Sequence, residues 1–172
     1  VLSKVVRKKT TKTSWTTNDA VKKSTGILPT TPTTSLNIWV CNLSGGILGY
    51  AQFPGGSSAT DGVVIDDNAF GTIGSVSAPF NKGRTATHEV GHWLNLRHIW
   101  GDATCGSDLV SDTPLHNTAN YGCPTSGHLS TCTGKPVEMT MNYMDYTDDA
   151  CMYMFSTGQK TRMLATFASG GG

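Results

Sequence analysis

Four of the five cysteines in this chain, Cys105, Cys123, Cys132 and Cys151, fall within 47 residues that are otherwise rich in Gly, Asp, Thr and Pro. Such a stretch cannot build a dense apolar core, so cross-links or metals must hold it. Two disulfides would do so and imply an oxidising compartment. A four-cysteine zinc site is the competing reading, and the lack of any CxxC pair argues against it. The fifth, Cys41, lies in the apolar run Leu36–Leu43 and reads as a buried free thiol.

The rest of the composition agrees with a loop-rich, strand-bearing chain. Thr and Ser together make up 40 of the 172 residues, Gly adds 20, and 15% are charged, against about 25% in an ordinary globular chain. A helical bundle or coiled coil is excluded. No apolar run reaches the roughly 18 residues that a membrane helix needs. The length suits one domain, residues 1–172. The net charge of +1 argues against a polyanion binder, although residues 1–23 carry +6 and the remainder −5. That basic start is read as a solvated arm, with no nucleic-acid partner. The chain opens at Val1 without a signal-like apolar stretch and reads as a processed or excised domain; with the expected disulfides, a secreted, mature form freed of its signal and pro-segment is expected.

Along the chain, Thr17–Ser24 reads as a short helix and Thr30–Thr34 as a Pro/Thr connector. Leu36–Leu43 is the best strand, with shorter candidates at Gly49–Phe53 and Gly62–Ile65. Gly83–Asn95 is a helix, and Leu96–Phe155 is long and irregular. Ser156–Phe167 is a closing helix that starts on a capping box, Ser156 to Gln159. The Gly170–Gly172 tail is expected to be disordered.

The chemistry lies in His88-Glu-Val-Gly-His92-Trp-Leu-Asn-Leu-Arg-His98. Residues four apart on a helix share a face, about 6 Å apart along the axis. His88 and His92 can therefore offer imidazole nitrogens to one Zn²⁺, with Glu89 placed as general base for a metal-activated water. His98 would lie about 240° off that face on a continuing helix. It reaches the metal only if the helix stops between them. Asn95, a residue type that tolerates the left-handed conformation, stands where the stop is needed. The alternative third ligand is Glu138, which with Glu89 completes the chain's two glutamates. It lies in the irregular region rather than on a convincing helix. His116 and His128 are unassigned.

The pattern HExxHxxNxxH resembles the long zinc signature of the metzincin metallopeptidases, and Asn95 in HEVGHWLNLRHIWGD is similar to the pappalysin family. Asn142-Tyr-Met144-Asp-Tyr146 matches the metzincin Met-turn, and the likeness runs from about Ile38 to Met163. This resemblance implies an α/β (α+β) fold. A twisted mixed sheet, mostly parallel, with backing and active-site helices would lie above an irregular lower subdomain that ends in a C-terminal helix. Residues 1–98 would form the upper subdomain and 99–172 the lower. Met144 would support the histidines from below, and Tyr146 would stabilise the oxyanion.

The implied activity is zinc-dependent endopeptidase hydrolysis of proteins and peptides by a monomer, with one catalytic Zn²⁺ per chain. Substrate would pair with an edge strand near Leu48–Gln52. A pocket walled by Thr147–Phe155, with Asp148 or Asp149 at its base, would favour Arg or Lys after the scissile bond. The other reading of these two acids is that they face solvent or bind calcium. Structural Ca²⁺ is expected in the loop Gly101–Pro114, with Asp102, Asp108, Asp112 and Thr113 as donors. The resemblance pairs Cys105 with Cys132 and Cys123 with Cys151, whereas the sequence alone allows three pairings. Two other classes stay open: a zinc-stabilised binding module, and a protease piece of a larger adhesion or toxin protein.

Overall fold

Val63, Val64 and Ile65 are all fully buried, and this β-branched run makes the middle of the sheet. The computed structural model describes residues 1–168, and the 170–172 tail lies outside them. Three strands, β1 (Ile38–Cys41), β2 (Gly49–Ala51) and β3 (Val63–Asp66), order as β1-β3-β2. β1 runs parallel to β3, with Ile38 opposite Val63, and β2 runs antiparallel, with Gly49 opposite Ile65. The sheet is thus mixed, as expected, but one parallel and one antiparallel pairing do not make it mostly parallel. β2 is an edge strand, its far side unpaired among the described residues.

Helix α1 (Arg84–Trp93) packs against β2 and β3. The second helix, α2 (Thr157–Ala165), carries the expected capping box: the Ser156 hydroxyl accepts the Gln159 amide, and the Gln159 side chain accepts the Ser156 amide. Between the helices no strand or longer helix forms. The disulfides Cys105–Cys132 and Cys123–Cys151, with Cα separations of 5.6 and 5.7 Å, hold this region. Cys41 is free but only half-buried, and burial pushes its thiol up to about 11.

The helix expected over Thr17–Ser24 is only a 3₁₀ turn, Ala20–Lys22. Asp19 takes a left-handed φ of 59° just before it, which prevents an earlier helical start. Past the turn, the chain folds back so that the Ile27 amide bonds the Val21 carbonyl at 2.8 Å.

Two apolar clusters result. Trp15, Val21, Trp39, Leu43 and Val64 form one beneath the sheet's N-terminal flank. Leu96, Ile99, Trp100 and Met144 form the other, below α1, joined by Phe155 and Met163.

Candidate active site

His88 and His92 project from one face of α1, and the helix ends where the sequence requires. The Leu96 amide bonds the Gly91 carbonyl and the Asn95 amide bonds the His92 carbonyl, both at 2.9 Å. This paired closure is a Schellman motif, and Asn95 supplies its left-handed residue, φ 72°. The turn buries Leu96 and sends the chain back so that His98 faces the other two histidines. Arg162 from α2 braces it by donating to the Asn95 carbonyl at 2.6 Å, a contact the sequence did not signal.

Each imidazole has its Nδ1 tied. That of His88 meets the Tyr143 carbonyl at 2.6 Å, that of His92 the Leu96 carbonyl at 2.8 Å, and that of His98 the Asp102 carboxylate at 2.5 Å. Nδ1–H donation to these acceptors leaves three Nε2 lone pairs converging. The His92 Nε2 is 3.1 Å from that of His88 and 3.1 Å from that of His98. Tetrahedral Zn–N bonds of about 2.0–2.1 Å put ligand nitrogens roughly 3.3 Å apart. Burial, then repulsion from neighbouring imidazoles, lowers the His88 pKa well below its ordinary value, and the same causes bring His92 down to about 4. The His88 and His92 rings, held neutral by burial with their Nε2 atoms face to face, repel unless a cation lies between them. The donor set therefore fits a zinc ion.

Glu89 is 6% exposed, and burial pushes its carboxyl up to about 8. Gly49 on β2 makes room for it, since a β-carbon at Gly49 would meet the Glu89 Cγ at 2.8 Å. Tyr146 places its hydroxyl 3.0 Å from the His98 Nε2. Burial, reinforced by the charges of Glu89 and Asp102, pushes that phenol up to about 12, so it remains a donor. Met144 is fully buried under α1, and His98 stacks on Trp100 with centroids 4.4 Å apart. Phe53 lies 5.3 Å from the His92 ring and Tyr121 lies 6.1 Å from Tyr146. Sequence reasoning found neither aromatic.

A cavity of about 420 Å³ opens beside Glu89, walled by Phe80, Thr85, Tyr121, Thr147 and Met152. Asp149 lines it, buried, with Oδ2 accepting the Lys82 amide at 2.7 Å and the Arg84 amide at 3.2 Å. Asp148 is half-buried and does not line the cavity.

The four expected calcium donors are divided. Asp108 and Thr113 come together, the Thr113 hydroxyl donating to Asp108 Oδ1 at 2.8 Å, while Asp108 Oδ2 is buried without a partner. Asp102 instead orients His98, a role its i, i+4 spacing could have signalled. Asp112 instead accepts from the Ser156 hydroxyl at 2.7 Å and the Gly158 amide at 2.8 Å, at the start of α2. Glu138 is buried away from the triad and accepts the Asn117 amide at 2.6 Å.

The fold and the histidine triad are those of a metzincin. A profile of the pregnancy-associated plasma protein-A family matches residues 31–168. An extracellular metalloprotease of Pyricularia oryzae is 44% identical over 141 residues, which cover 77% of this chain and 48% of that protein. Another, from Colletotrichum graminicola, is 49% identical over 126 residues, covering 67% of this chain and 44% of that protein. The structure of mature mirolysin of Tannerella forsythia in complex with a cleaved peptide superposes with a TM-score of 0.87 at 47% identity, covering 92% of this chain and 63% of that one. The chain belongs to the pappalysin family, and it spans about half the length of the curated relatives it matches.

Proposed function

We propose that the chain is the catalytic domain of a secreted zinc endopeptidase, acting as a monomer on proteins and peptides. The observation that carries this reading is the convergence of the Nε2 atoms of His88, His92 and His98 beside one buried carboxyl group, Glu89. His88, His92 and His98 would hold the zinc. When bound, zinc supplies a Lewis acid and lowers the pKa of water to about 7. Glu89 accepts the proton of the attacking water and returns it to the leaving amine. Tyr146 donates from its phenol to the carbonyl oxygen as charge builds there, a contribution of about 3–4 kcal/mol for a donor of this kind.

The free edge of β2 supports an extended peptide paired along Leu48–Gln52. The residue after the scissile bond would enter the cavity beside Glu89. Asp149, with one carboxylate oxygen not taken by the Lys82 and Arg84 amides, would favour Arg or Lys there. Asp108 and Thr113 would hold a structural Ca²⁺, because an orphaned buried carboxylate oxygen suits a hard cation. The two apolar clusters support upper and lower subdomains dividing near His98.

The test is a digest of a peptide library with and without a zinc chelator, with cleavage sites read by mass spectrometry. Chelator-sensitive endoproteolysis is expected. No cleavage by zinc-loaded protein would reject the reading.

A further inference from the structure

The segment from His116 to Tyr121 hangs on two buried carboxylates. Glu138 Oε1 accepts the Asn117 amide at 2.6 Å, and Glu138 Oε2 accepts the Asn120 side-chain amide at 2.7 Å. The same Asn120 Nδ2 donates to Asp145 Oδ2 at 3.0 Å. Its two hydrogens thus serve one carboxylate each. Asp145 Oδ1 accepts two backbone amides, those of Asn120 and Tyr146, both at 2.8 Å.

His116 completes the cluster. It is fully buried, and its Nε2 accepts the Met139 amide at 2.9 Å. Nδ1 must therefore carry the proton. It faces Asp145 Oδ2 at 3.5 Å and Glu138 Oε2 at 3.7 Å and has no hydrogen-bond partner of its own. With one nitrogen accepting and the other protonated, this ring has no lone pair for a metal. The cluster is a clamp rather than an ion site.

What the clamp grips matters for the chemistry. Asp145 stands between Met144, buried under α1, and Tyr146, whose hydroxyl reaches the His98 Nε2. The Tyr146 ring is 40% exposed, with Trp100 at 4.8 Å and Tyr121 at 6.1 Å. Its backbone is tied to Asp145. Two buried carboxylates repel each other and are costly without donors between them. Asn120 is the donor shared by both. Without it only the His116 N–H faces both carboxylates, and Asp145, which is tied to the Tyr146 amide, loses one of its anchors.

We propose that Asn120, backed by His116 and Glu138, is a positioning residue that holds the Tyr146 hydroxyl at the reacting centre through Asp145. This rests on the endopeptidase reading for its effect on rate.

The experiment compares wild type, Asn120→Ala, Tyr146→Phe and the double variant, each with zinc content, kcat and KM on one peptide. Asn120→Ala is expected to lower kcat about tenfold at unchanged zinc content and with KM within about twofold, as a small misplacement of a reacting group does. In the Tyr146→Phe background the same change should cost nothing further. An equal loss in both backgrounds, or no loss in either, overturns the proposal.

Hydrogen exchange of the metal-free proteins gives a second readout, independent of activity. The Tyr146 amide should exchange about tenfold faster in Asn120→Ala while the amides of α1 stay protected. Unchanged exchange at Tyr146 also overturns it. If Asn120→Ala does not fold, Asn120→Ser goes through the same cycle. A wild type that cleaves nothing, with the exchange difference present, would reject the endopeptidase reading and leave the clamp standing.

Discussion

A β-carbon at Gly91 would come within 2.5 Å of the Met144 sulfur. The active-site helix therefore rests directly on the Met-turn, and glycine is what permits the contact. Met144 is fully buried, so making room for that carbon requires its packed neighbours to rearrange. Overpacking of this kind typically costs about 1–3 kcal/mol. Gly91→Ala is expected to lower the melting temperature and weaken zinc binding. Pairing it with Met144→Ala should recover part of both losses. Thermal melts and zinc titration of the two variants check this, and a Gly91→Ala protein as stable as wild type would refute the contact.

Asp102 orients the third histidine from outside the triad, with 2.5 Å between its carboxylate and the His98 Nδ1. Loss of an outer partner of a metal-ligating histidine typically costs about 10–100-fold in metal affinity. Asp102→Ala should show that loss in zinc competition with a chromogenic chelator. The folded protein should survive, because Asp102 is largely exposed. Affinity equal to wild type would leave Asp102 without a function at the zinc site.

The zinc helix was legible because its constraints are local. Histidines four apart, a glutamate between them and an asparagine at the stop are all consequences of helical geometry. The capping box of α2 was legible for the same reason. The Thr17–Ser24 pattern predicts a helix of which only a 3₁₀ turn forms, because Asp19 adopts a left-handed conformation that no periodicity shows. The acidic loop reads as holding at least one calcium site, and the structure gives its aspartates three different partners: His98, Thr113 and the start of α2. Those partners are set by how a strand-free stretch folds back on itself. Asp112, for example, reaches 46 residues forward to Gly158. Asn120 against Asp145 was invisible on the same ground, and Phe53 against His92 because it depends on how the end of β2 packs on α1.

Glu89 should make the stability of the metal-free protein depend on pH in a defined direction. Burial raises its carboxyl from 4.5 to about 8. Between those values the folded state keeps a proton that the unfolded state has released. The stabilisation is full below about 4.5 and is lost as the pH rises through about 8. Glu89→Gln cannot titrate, so its melting-temperature advantage over wild type should widen from about pH 5 to about pH 8. His92 acts in the opposite sense. Its pKa falls from 6.5 to about 4, so stability is lost as the pH drops through that window. This happens in both proteins and cancels in the comparison. Bound zinc should shrink the difference, because the cation favours the carboxylate. Melts across the range decide it, and a constant offset would contradict the burial of an ionisable Glu89. The zinc-loaded Glu89→Gln protein should retain its metal and lose proteolysis.

The proposed calcium site would separate Asp108 from Asp112. Asp108 is 3% exposed, and its Oδ2 has no partner. Asp112 is exposed and engaged at the start of α2. Asp108→Asn should abolish any rise in melting temperature on adding Ca²⁺ at constant zinc. Asp112→Ala should lower the melting temperature by a similar amount with or without Ca²⁺, as loss of a helix cap worth about 1 kcal/mol would. A Ca²⁺ response that survives Asp108→Asn would remove that residue from the ligand set.

Asp149 and Asp148 make different predictions for specificity. Asp149 lines the cavity beside Glu89, and its Oδ2 is spent on the Lys82 and Arg84 amides. An asparagine carbonyl can accept from the same amides, so Asp149→Asn keeps the local fold and removes the charge. A buried charge that pairs with a cationic side chain typically governs affinity by 2–5 kcal/mol. Preference for Arg or Lys over Leu after the scissile bond should therefore fall by at least about tenfold in Asp149→Asn. Asp148→Asn should keep it. Arg84 also lines the cavity, its guanidinium 5.3 Å from the centre of the Tyr143 ring. Cleavage-site profiling of the three proteins on one peptide library reads the outcome. A wild-type profile without a basic preference, or one that Asp149→Asn leaves intact, would take Asp149 out of the pocket's recognition chemistry.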